Sequence, residues 1–151
     1  MTVRIERARE EDLPEILALL EENELPQEGL GDHLATTLVA REGSRIVGSA
    51  ALELYGPDVL LRSVAVRRDL RGCGLGQRLT RAALDLASEH GALRAYLLTE
   101  TAAGFFPRFG FRPIPRSLVP QSVARSVEFV SACPASARAM VKDQLGDFTG
   151  L

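Results

Sequence analysis

The residues best suited to chemistry lie in the segment RGCGLG, Arg71–Gly76, where glycines occupy alternate positions. The preceding VLLRSVAV is typical of a β-strand that ends at Val66, and a helical apolar repeat begins near Leu75. The first N–H groups of a helix lack partners within the helix, and together with the helix dipole they favour an anion. Because glycine has no Cβ, the backbone could approach that anion closely. The segment therefore predicts an anion-binding turn.

Arginines surround this turn and could add charge-assisted hydrogen bonds to a phosphate. They are Arg67, Arg68, Arg71, Arg78 and Arg81. The turn is not a Walker loop, because no Gly-Lys-Ser/Thr follows it. It is not the dinucleotide fingerprint either, because its glycines alternate and the hairpins before it do not form a βαβ unit. The alternative is that the glycines only permit a tight turn, which leaves the ring of arginines unexplained.

The elements around the turn predict a mixed α+β fold with one central sheet. VRIERA alternates as a short strand, and a helix follows from Asp12, a suitable N-cap with Glu15 at capping-box spacing. Strands over TTLVARE, RIVGSAALELY and VLLRSVAV are separated by short turns, which indicates an antiparallel meander. The helix from Leu75 is followed by the strand LRAYLL, a short helix within TAAGFFPRFG, the extended FRPIP and a last strand, ARAMVK.

Composition and charge argue against several classes of partner. The 151 residues suit a single domain over 1–151, and a net charge of −2 gives no general basic field for nucleic acid. No apolar run approaches the ~20 residues needed to span a bilayer, and the N-terminus is too charged for a signal peptide, so we expect a cytoplasmic protein without a membrane partner. Cys73 and Cys133 match no metal spacing, so neither a metal nor a disulfide is expected.

RGCGLG after VAV resembles the acetyl-CoA-binding motif of the GNAT family of N-acetyltransferases, in which Arg or Gln is followed by x-x-Gly-x-Gly or Ala. The matching positions are Arg71, Gly74 and Gly76. FFPRFGF, Phe105–Phe111, resembles a later signature of the family. The resemblance implies a mostly antiparallel central sheet whose fourth and fifth strands splay apart, flanked by helices. It also implies an acetyl-CoA-dependent enzyme that acetylates a small amine by direct attack in a ternary complex.

The resemblance further implies where acetyl-CoA would bind. Backbone N–H groups from Arg71 to Gly76 would hold the pyrophosphate. Peptide groups near Val64 and Val66 would pair with the pantetheine arm and polarise the thioester carbonyl. The predicted cofactor-binding residues are Val64, Ala65, Val66, Arg71, Gly72, Cys73, Gly74, Leu75, Gly76, Phe106 and Arg108.

Proton transfer is harder to assign from the sequence. Many family members place a Tyr before the late Gly-Phe as general acid, and the aligned residue here is Phe106, which has no proton to donate. Glu53 and Glu100 are the carboxylates nearest to the strand VLLRSVAV and are the catalytic candidates, with an exposed surface role as the alternative for each. These gaps leave open a second class of function, a CoA-binding sensor or interaction module without turnover.

Two residues are candidates for binding the acceptor. Arg62 shares a face with Val64 and Val66 by strand alternation and could bind an acceptor carboxylate, or it could form a salt bridge to Glu53 on the adjacent strand. His33 lies in a loop region that often borders the acceptor site in the family.

The tail, from LLTETAAGFFPRFG to SARAM, resembles a subgroup of small acetyltransferases associated with arsenic resistance. That resemblance implies an amino-acid-like acceptor that could contain arsenic. We expect Cys133 to be structural, because a single thiol is a poor arsenite site. The apolar last strand could contribute to a homodimer.

Overall fold

One seven-stranded sheet organises the part of the chain that the computed structural model describes, residues 2–132 and 136–145. Its strands are β1 (Arg4–Arg7), β2 (Thr37–Glu42), β3 (Arg45–Tyr55), β4 (Asp58–Val66), β5 (Arg94–Thr99), β6 (Arg112–Ile114) and β7 (Arg138–Lys142). They lie in the order β1-β2-β3-β4-β5-β7-β6, and neighbouring strands are antiparallel except β4 and β5, which run parallel. The predicted mixed α+β class with a mostly antiparallel sheet is confirmed.

The helices of the described residues are α1 (Leu13–Glu22), α2 (Leu75–Glu89) and the short α3 (Gln121–Ala124). Shorter 3-10 segments are Glu10–Asp12, Leu30–Thr36, Arg68–Leu70, Phe106–Phe109 and Arg116–Leu118, and a π-helical segment spans Glu128–Ala132. None of the described helices is long and apolar enough to cross a membrane.

The helices α1 and α2 cover opposite faces of the sheet. Leu38 and Ala40 of β2 belong to the core cluster that contains Leu79 of α2, whereas Val39 belongs to the cluster that contains Ile16 of α1. Successive side chains of a strand point to opposite faces, so this alternation places one helix on each side. The sheet is the middle layer, with a core above and below it.

The parallel strands β4 and β5 pair over only a short stretch. The register joins Asp58 to Arg94 and ends where Leu60 lies beside Tyr96. Beyond that point β4 continues to Val66 and β5 continues to its pairing with β7, which occupies the other edge of β5. The two strands therefore diverge, as predicted, and open a wedge at their carboxyl ends.

A β-bulge in β4 lies inside this wedge. Arg62 pairs with Ala51 of β3, but Ser49, two residues before Ala51, pairs with Ala65, so β4 carries one extra residue here. Ser63 within the bulge has a φ of 60°, in the left-handed region, and its carbonyl accepts a hydrogen bond of 2.7 Å from Ser49 Oγ. Bulges of this kind bend a strand and redirect its side chains.

The extra residue resets the alternation of side chains along β4. Leu61 lies in the core cluster on the α2 face before the bulge, and Val64 and Val66 pack against the same cluster after it. Arg62 directly follows Leu61 and therefore points to the other face. The prediction that Arg62 shares a face with Val64 and Val66 is wrong, because one inserted residue exchanges the two faces of a strand.

Asp12 does not cap α1 with its side chain, contrary to the sequence-based prediction. Its carboxylate is buried and accepts hydrogen bonds of 3.2 and 2.8 Å from both Nη atoms of Arg41, whose Nε donates to Glu6 at 2.7 Å. Glu15, the predicted capping-box partner, instead accepts the Ile46 N–H at 2.8 Å. In a bidentate Arg–carboxylate pair both partners are charged, whereas the donor of a cap bond is a neutral backbone N–H, so α1 is fixed to the sheet by its acids.

Replacing Asp12 by Asn should lower the free energy of unfolding by about 1–3 kcal/mol at neutral pH. The Arg41 hydrogen bonds hold the pKa of Asp12 below its ordinary 3.8, so this carboxylate stabilises the fold above that pH and stops doing so as pH falls through its folded pKa. Denaturant titrations of wild type and Asp12→Asn should therefore converge in acid. Glu10→Gln, an exposed neighbour, is the control, and a difference independent of pH contradicts the assignment.

Candidate active site

Two adjoining cavities occupy the wedge between β4 and β5. The smaller, about 410 Å³, is lined by Asn23, Val64, Ala65, Val66, Leu70, Arg71, Gly72, Gly74, Leu75, Gly76, Gln77, Ala102, Phe105, Phe106 and Arg108. The larger is about 720 Å³. They share the residues Asn23, Val64, Arg71, Ala102 and Phe106, so the two cavities meet beside the end of β4.

The predicted anion-binding turn forms one end of the smaller cavity. Gly72 has a φ of 85° and Gly74 a φ of 84°, a conformation that residues with a Cβ rarely adopt. Gly74 is the N-cap residue of the 15-residue α2 and makes no side-chain cap, so the first N–H groups of the helix lie beside the cavity. Backbone donors and a helix dipole at one cavity wall are what an anion requires.

The arginines around the turn divide into two groups. Arg71 lines the smaller cavity, together with Arg108, which belongs to the 3-10 segment Phe106–Phe109 and is not one of the arginines around the turn. Arg71 Nη2 donates to Asn23 Oδ1, and Arg108 lies 4.8 Å from the centre of the Phe105 ring. Other arginines of the ring have contacts elsewhere: Arg67 with Asp69, Arg68 with Glu22, Arg78 with the Val3 carbonyl and Arg81 with the Phe109 ring.

The edge of β4 that faces the wedge offers backbone groups to a ligand. The Arg67 N–H donates to the Val47 carbonyl of β3 at 2.9 Å. Because peptide groups alternate along a strand, the N–H groups of Val66 and Val64 point away from β3. The pairing with β5 has already ended at Leu60, so this edge can pair with an extended ligand as another strand would.

Charged side chains distinguish the larger cavity. Those that line it are Glu24, Glu28, Arg62, Arg71, Glu100 and Glu128. Glu24, Glu28 and Glu100 are exposed, whereas Glu128, on the π-helical segment, is 3% exposed. The acids outnumber the arginines, which suits a cationic ligand.

Arg62 is enclosed and bonded on every side of its guanidinium. Nη1 donates to Glu53 Oε2 at 2.8 Å, Nη2 to the Pro26 carbonyl at 3.3 Å, and Nε to Ser63 Oγ at 3.1 Å. Nε also lies 3.4 Å from Glu128 Oε2. Of the two sequence-based alternatives for Arg62, the structure contains the ion pair with Glu53.

Glu53 lies behind Arg62 and does not line either cavity. It is 2% exposed, the Tyr55 hydroxyl donates to its Oε1, and His33 Nε2 lies 3.5 Å from the same oxygen. Burial and the hydrogen bond to Glu53 raise the pKa of Tyr55, so this phenol stays neutral at physiological pH. His33 is likewise outside both cavities.

The other predicted residues lie as follows. Glu100 follows β5 at the wall of the larger cavity, and Phe106 is buried and lines both cavities. Cys73 is exposed and donates its thiol to the Leu70 carbonyl at 2.7 Å, and it is not part of the cavity wall. Cys133 lies outside the described residues. Within the described ranges no group of three His, Cys, Asp or Glu side chains could hold a metal ion.

Sequence reasoning missed Glu128 and Asn23. The signal available for Glu128 was a single acid in an apolar stretch, SVEFV, which is the pattern of a buried charge with a partner. Its partner, Arg62, is distant in sequence and only the fold brings them together.

The sequence model of the acetyltransferase (GNAT) domain matches residues 33–113, more than half of the chain. The chain belongs to the GNAT family. Over 99 residues it is 30% identical to an uncharacterized N-acetyltransferase of Chlorobaculum tepidum, a match that covers 65% of this chain and 63% of that protein.

Two solved structures share the fold of this GNAT chain. N-acetylglutamate synthase from Neisseria gonorrhoeae, complexed with coenzyme A and N-acetyl-glutamate, matches with a TM-score of 0.80 and 22% identity over 95% of this chain and 35% of that one. Rv2747 from Mycobacterium tuberculosis, in complex with CoA and a further ligand, matches with a TM-score of 0.79 and 23% identity. That match covers 93% of this chain and 98% of Rv2747. This chain thus spans about a third of the Neisseria enzyme.

Replacing Gly74 by Val should weaken acetyl-CoA binding by about tenfold or more, because a branched side chain resists the left-handed conformation of the turn and adds bulk beside the anion. Calorimetric titration with acetyl-CoA measures this directly. Gly91→Val is the matched control, since Gly91 has a φ of 82° and lies at the far end of α2. Equal affinity for acetyl-CoA in the Gly74 and Gly91 variants contradicts the assignment of the glycine turn as the anion-binding site.

Proposed function

We propose that the protein is an acetyl-CoA-dependent N-acetyltransferase that acetylates the amine of a small, amino-acid-like acceptor by direct attack in a ternary complex. The observation that carries the proposal is the junction of the two cavities. One contains the glycine turn and the wedge-facing edge of β4, and the other is acidic. A thioester in the first would meet an amine from the second beside Val64.

The residues of the smaller cavity fit acetyl-CoA, which supplies the activated acetyl group when bound. The N–H groups of Gly72 to Gly76 and the guanidinium of Arg71 would hold the pyrophosphate. The wedge-facing peptide groups of Val64 and Val66 would pair with the pantetheine amides. Phe106 and Arg108 would line the far side of the bound acetyl-CoA.

Polarisation of the thioester carbonyl would come from the backbone. The Val64 N–H follows the bulge at Ser63 and points into the wedge, where it can donate to the oxygen on which negative charge develops. A preformed donor of this kind needs no rearrangement during the reaction. The left-handed Ser63 would therefore serve to aim this donor.

The leaving thiolate would take its proton without a tyrosine. Phe106, at the position where many family members carry Tyr, is buried against both cavities and has no proton to give. Neither Tyr55 nor Tyr96 lines the cavities formed by the described residues. Water, or the second proton of the attacking amine, would protonate the thiolate.

An amino-acid-like acceptor is supported by the size of the larger cavity and by the polar groups around it. The Neisseria enzyme of similar fold was solved with an acetylated amino acid. The guanidinium of Arg62 is already paired, so we propose that it acts on the acceptor through the carboxylates it holds. The resemblance to the arsenic-resistance subgroup adds one specific acceptor to test, an arsenic-containing amino-acid analogue.

Thiol release from acetyl-CoA should depend on an added amine. A panel of the proteinogenic amino acids, simple primary amines and one arsenic-containing amino-acid analogue, read with a thiol reagent and by mass spectrometry of the product, tests this. Saturable release with an N-acetylated product supports the enzyme. Tight acetyl-CoA binding without release across the whole panel supports the alternative, a CoA-binding sensor.

Initial rates should show a ternary complex. Varying acetyl-CoA at several fixed acceptor concentrations should give intersecting double-reciprocal lines, because both substrates occupy adjoining cavities before any bond changes. Parallel lines, or an acetylated protein isolated in the absence of acceptor, contradict direct attack.

A further inference from the structure

The bulge in β4 is held by a side chain of the neighbouring strand β3. In the register of the two strands, Ser63 and Val64 together face the single residue Ala50. A bulge disrupts the ladder at such a place, and a buried carbonyl is costly unless it accepts a hydrogen bond. The hydroxyl of Ser49, which is fully buried, donates to the Ser63 carbonyl at 2.7 Å. A side-chain hydroxyl thus satisfies a carbonyl of the bulge.

The Ser63 carbonyl and the Val64 N–H belong to one peptide group. This peptide bond is trans, and because a trans peptide is planar its C=O and N–H point in opposite directions. The Ser49 hydroxyl lies on the β3 side of β4, so a carbonyl directed at it turns the Val64 N–H away from β3 and into the wedge. One hydrogen bond therefore fixes the orientation of the peptide group whose N–H would face the thioester.

Ser63 has a backbone conformation that needs this support. Its φ of 60° lies in the left-handed region, which residues with a Cβ rarely adopt. Ser63 accepts hydrogen bonds at its carbonyl, from Ser49, and at its Oγ, from Arg62 Nε at 3.1 Å. Such conformations persist only where the surrounding structure determines them, and they cluster at active sites. The bulge lies at such a place, since Ser63 lines the larger cavity and Val64 lines both cavities.

We infer that Ser49 is a positioning residue for acetyl transfer, an inference that rests on the proposed function. Its hydroxyl sets the plane of the Ser63–Val64 peptide group, so that the Val64 N–H is aimed at the thioester oxygen before the amine attacks. A donor already in place stabilises the negative charge on that oxygen without reorganisation. The same hydrogen bond polarises the peptide group, because linked hydrogen bonds strengthen one another. Within the described structure Ser49 lines neither cavity, so it acts through this peptide group alone.

The test compares Ser49→Ala with wild type in single-turnover acetyl transfer, measured with the amine that gives the fastest thiol release in wild type. Removal of an oxyanion donor costs about 10²–10³-fold, so a donor that is present but poorly aimed should slow the transfer by about tenfold or more. Affinity for acetyl-CoA, measured by calorimetry, should fall by no more than about threefold, because the lost interaction is one made mainly in the transition state.

Two spectroscopic measurements separate the aiming of the donor from a general loss of structure. Acetyl-CoA labelled with ¹³C at the thioester carbonyl should show a lower C=O stretching frequency when it binds wild type, because a hydrogen bond weakens that double bond. The decrease should be smaller in Ser49→Ala. In the free protein, the ¹⁵N resonance of Val64 should move in Ser49→Ala, because the carbonyl of its peptide group has lost a hydrogen bond. Neither measurement needs an acceptor or turnover.

Thr36→Val is the matched control. The Thr36 hydroxyl is also buried and donates to a backbone carbonyl of β3, that of Leu52, at 2.6 Å. Thr36 lines neither cavity of the described structure. This variant loses the same kind of hydrogen bond away from the bulge, so its transfer rate and its bound carbonyl frequency should match those of wild type.

Three results would overturn the inference. They are a wild-type transfer rate in Ser49→Ala, a wild-type carbonyl frequency in Ser49→Ala, and equal losses in Ser49→Ala and Thr36→Val. Should Ser49→Ala fail to fold, Ser49→Cys replaces it, because a thiol occupies the same position and is a weaker donor than a hydroxyl. A slower transfer with a smaller decrease in carbonyl frequency is then expected, and wild-type values for either one overturn the inference.

Failure of the proposed function has a different signature. Wild type would then bind acetyl-CoA yet release no thiol with any amine of the panel, and the role of Ser49 in acetyl transfer would fall with it. Amine-dependent release in wild type, together with a wild-type transfer rate and carbonyl frequency in Ser49→Ala, leaves the function standing and removes only the inference.

Discussion

The early end of the β4–β5 ladder is the constraint on which the rest of the structure depends. After Leu60 and Tyr96 the strands no longer pair with each other, although β4 remains paired with β3 and β5 with β7. The divergence creates both cavities and leaves the peptide groups of Val64 and Val66 facing the opening. Had the strands stayed paired to their ends, there would be no wedge for a cofactor arm to enter.

The sequence predicts the glycine turn and the start of α2 well, because these features are built from local backbone chemistry. Gly72 and Gly74 adopt the left-handed conformation that glycine favours, and α2 begins at Leu75 as its apolar repeat indicates. The meander before the turn is also local, since tight turns join its strands. Features that depend on consecutive residues are found in the structure much as the sequence predicts them.

The positions of the buried charges could not be predicted in full, because non-local pairs determine them. No glycine or proline marks the bulge at Ser63, yet one extra residue moves Arg62 to the face opposite Val64. Asp12 was expected to cap a helix and instead pairs with Arg41, 29 residues away in sequence. Glu128 lies in a tail whose pattern was mixed. The contacts of Asp12 with Arg41 and of Glu128 with Arg62 join buried charges that strand alternation and local propensity do not reveal. The pair of Arg62 with Glu53, in contrast, was one of the two sequence-based alternatives.

The account is tested most directly by a structure of the protein with CoA bound. It predicts the pyrophosphate against the N–H groups of residues 72–76, the pantetheine paired to the Val64–Val66 edge, and the thiol at the junction with the larger cavity, with Arg62 still paired to Glu53. CoA bound elsewhere, or β4 and β5 paired to their ends in the complex, would contradict it.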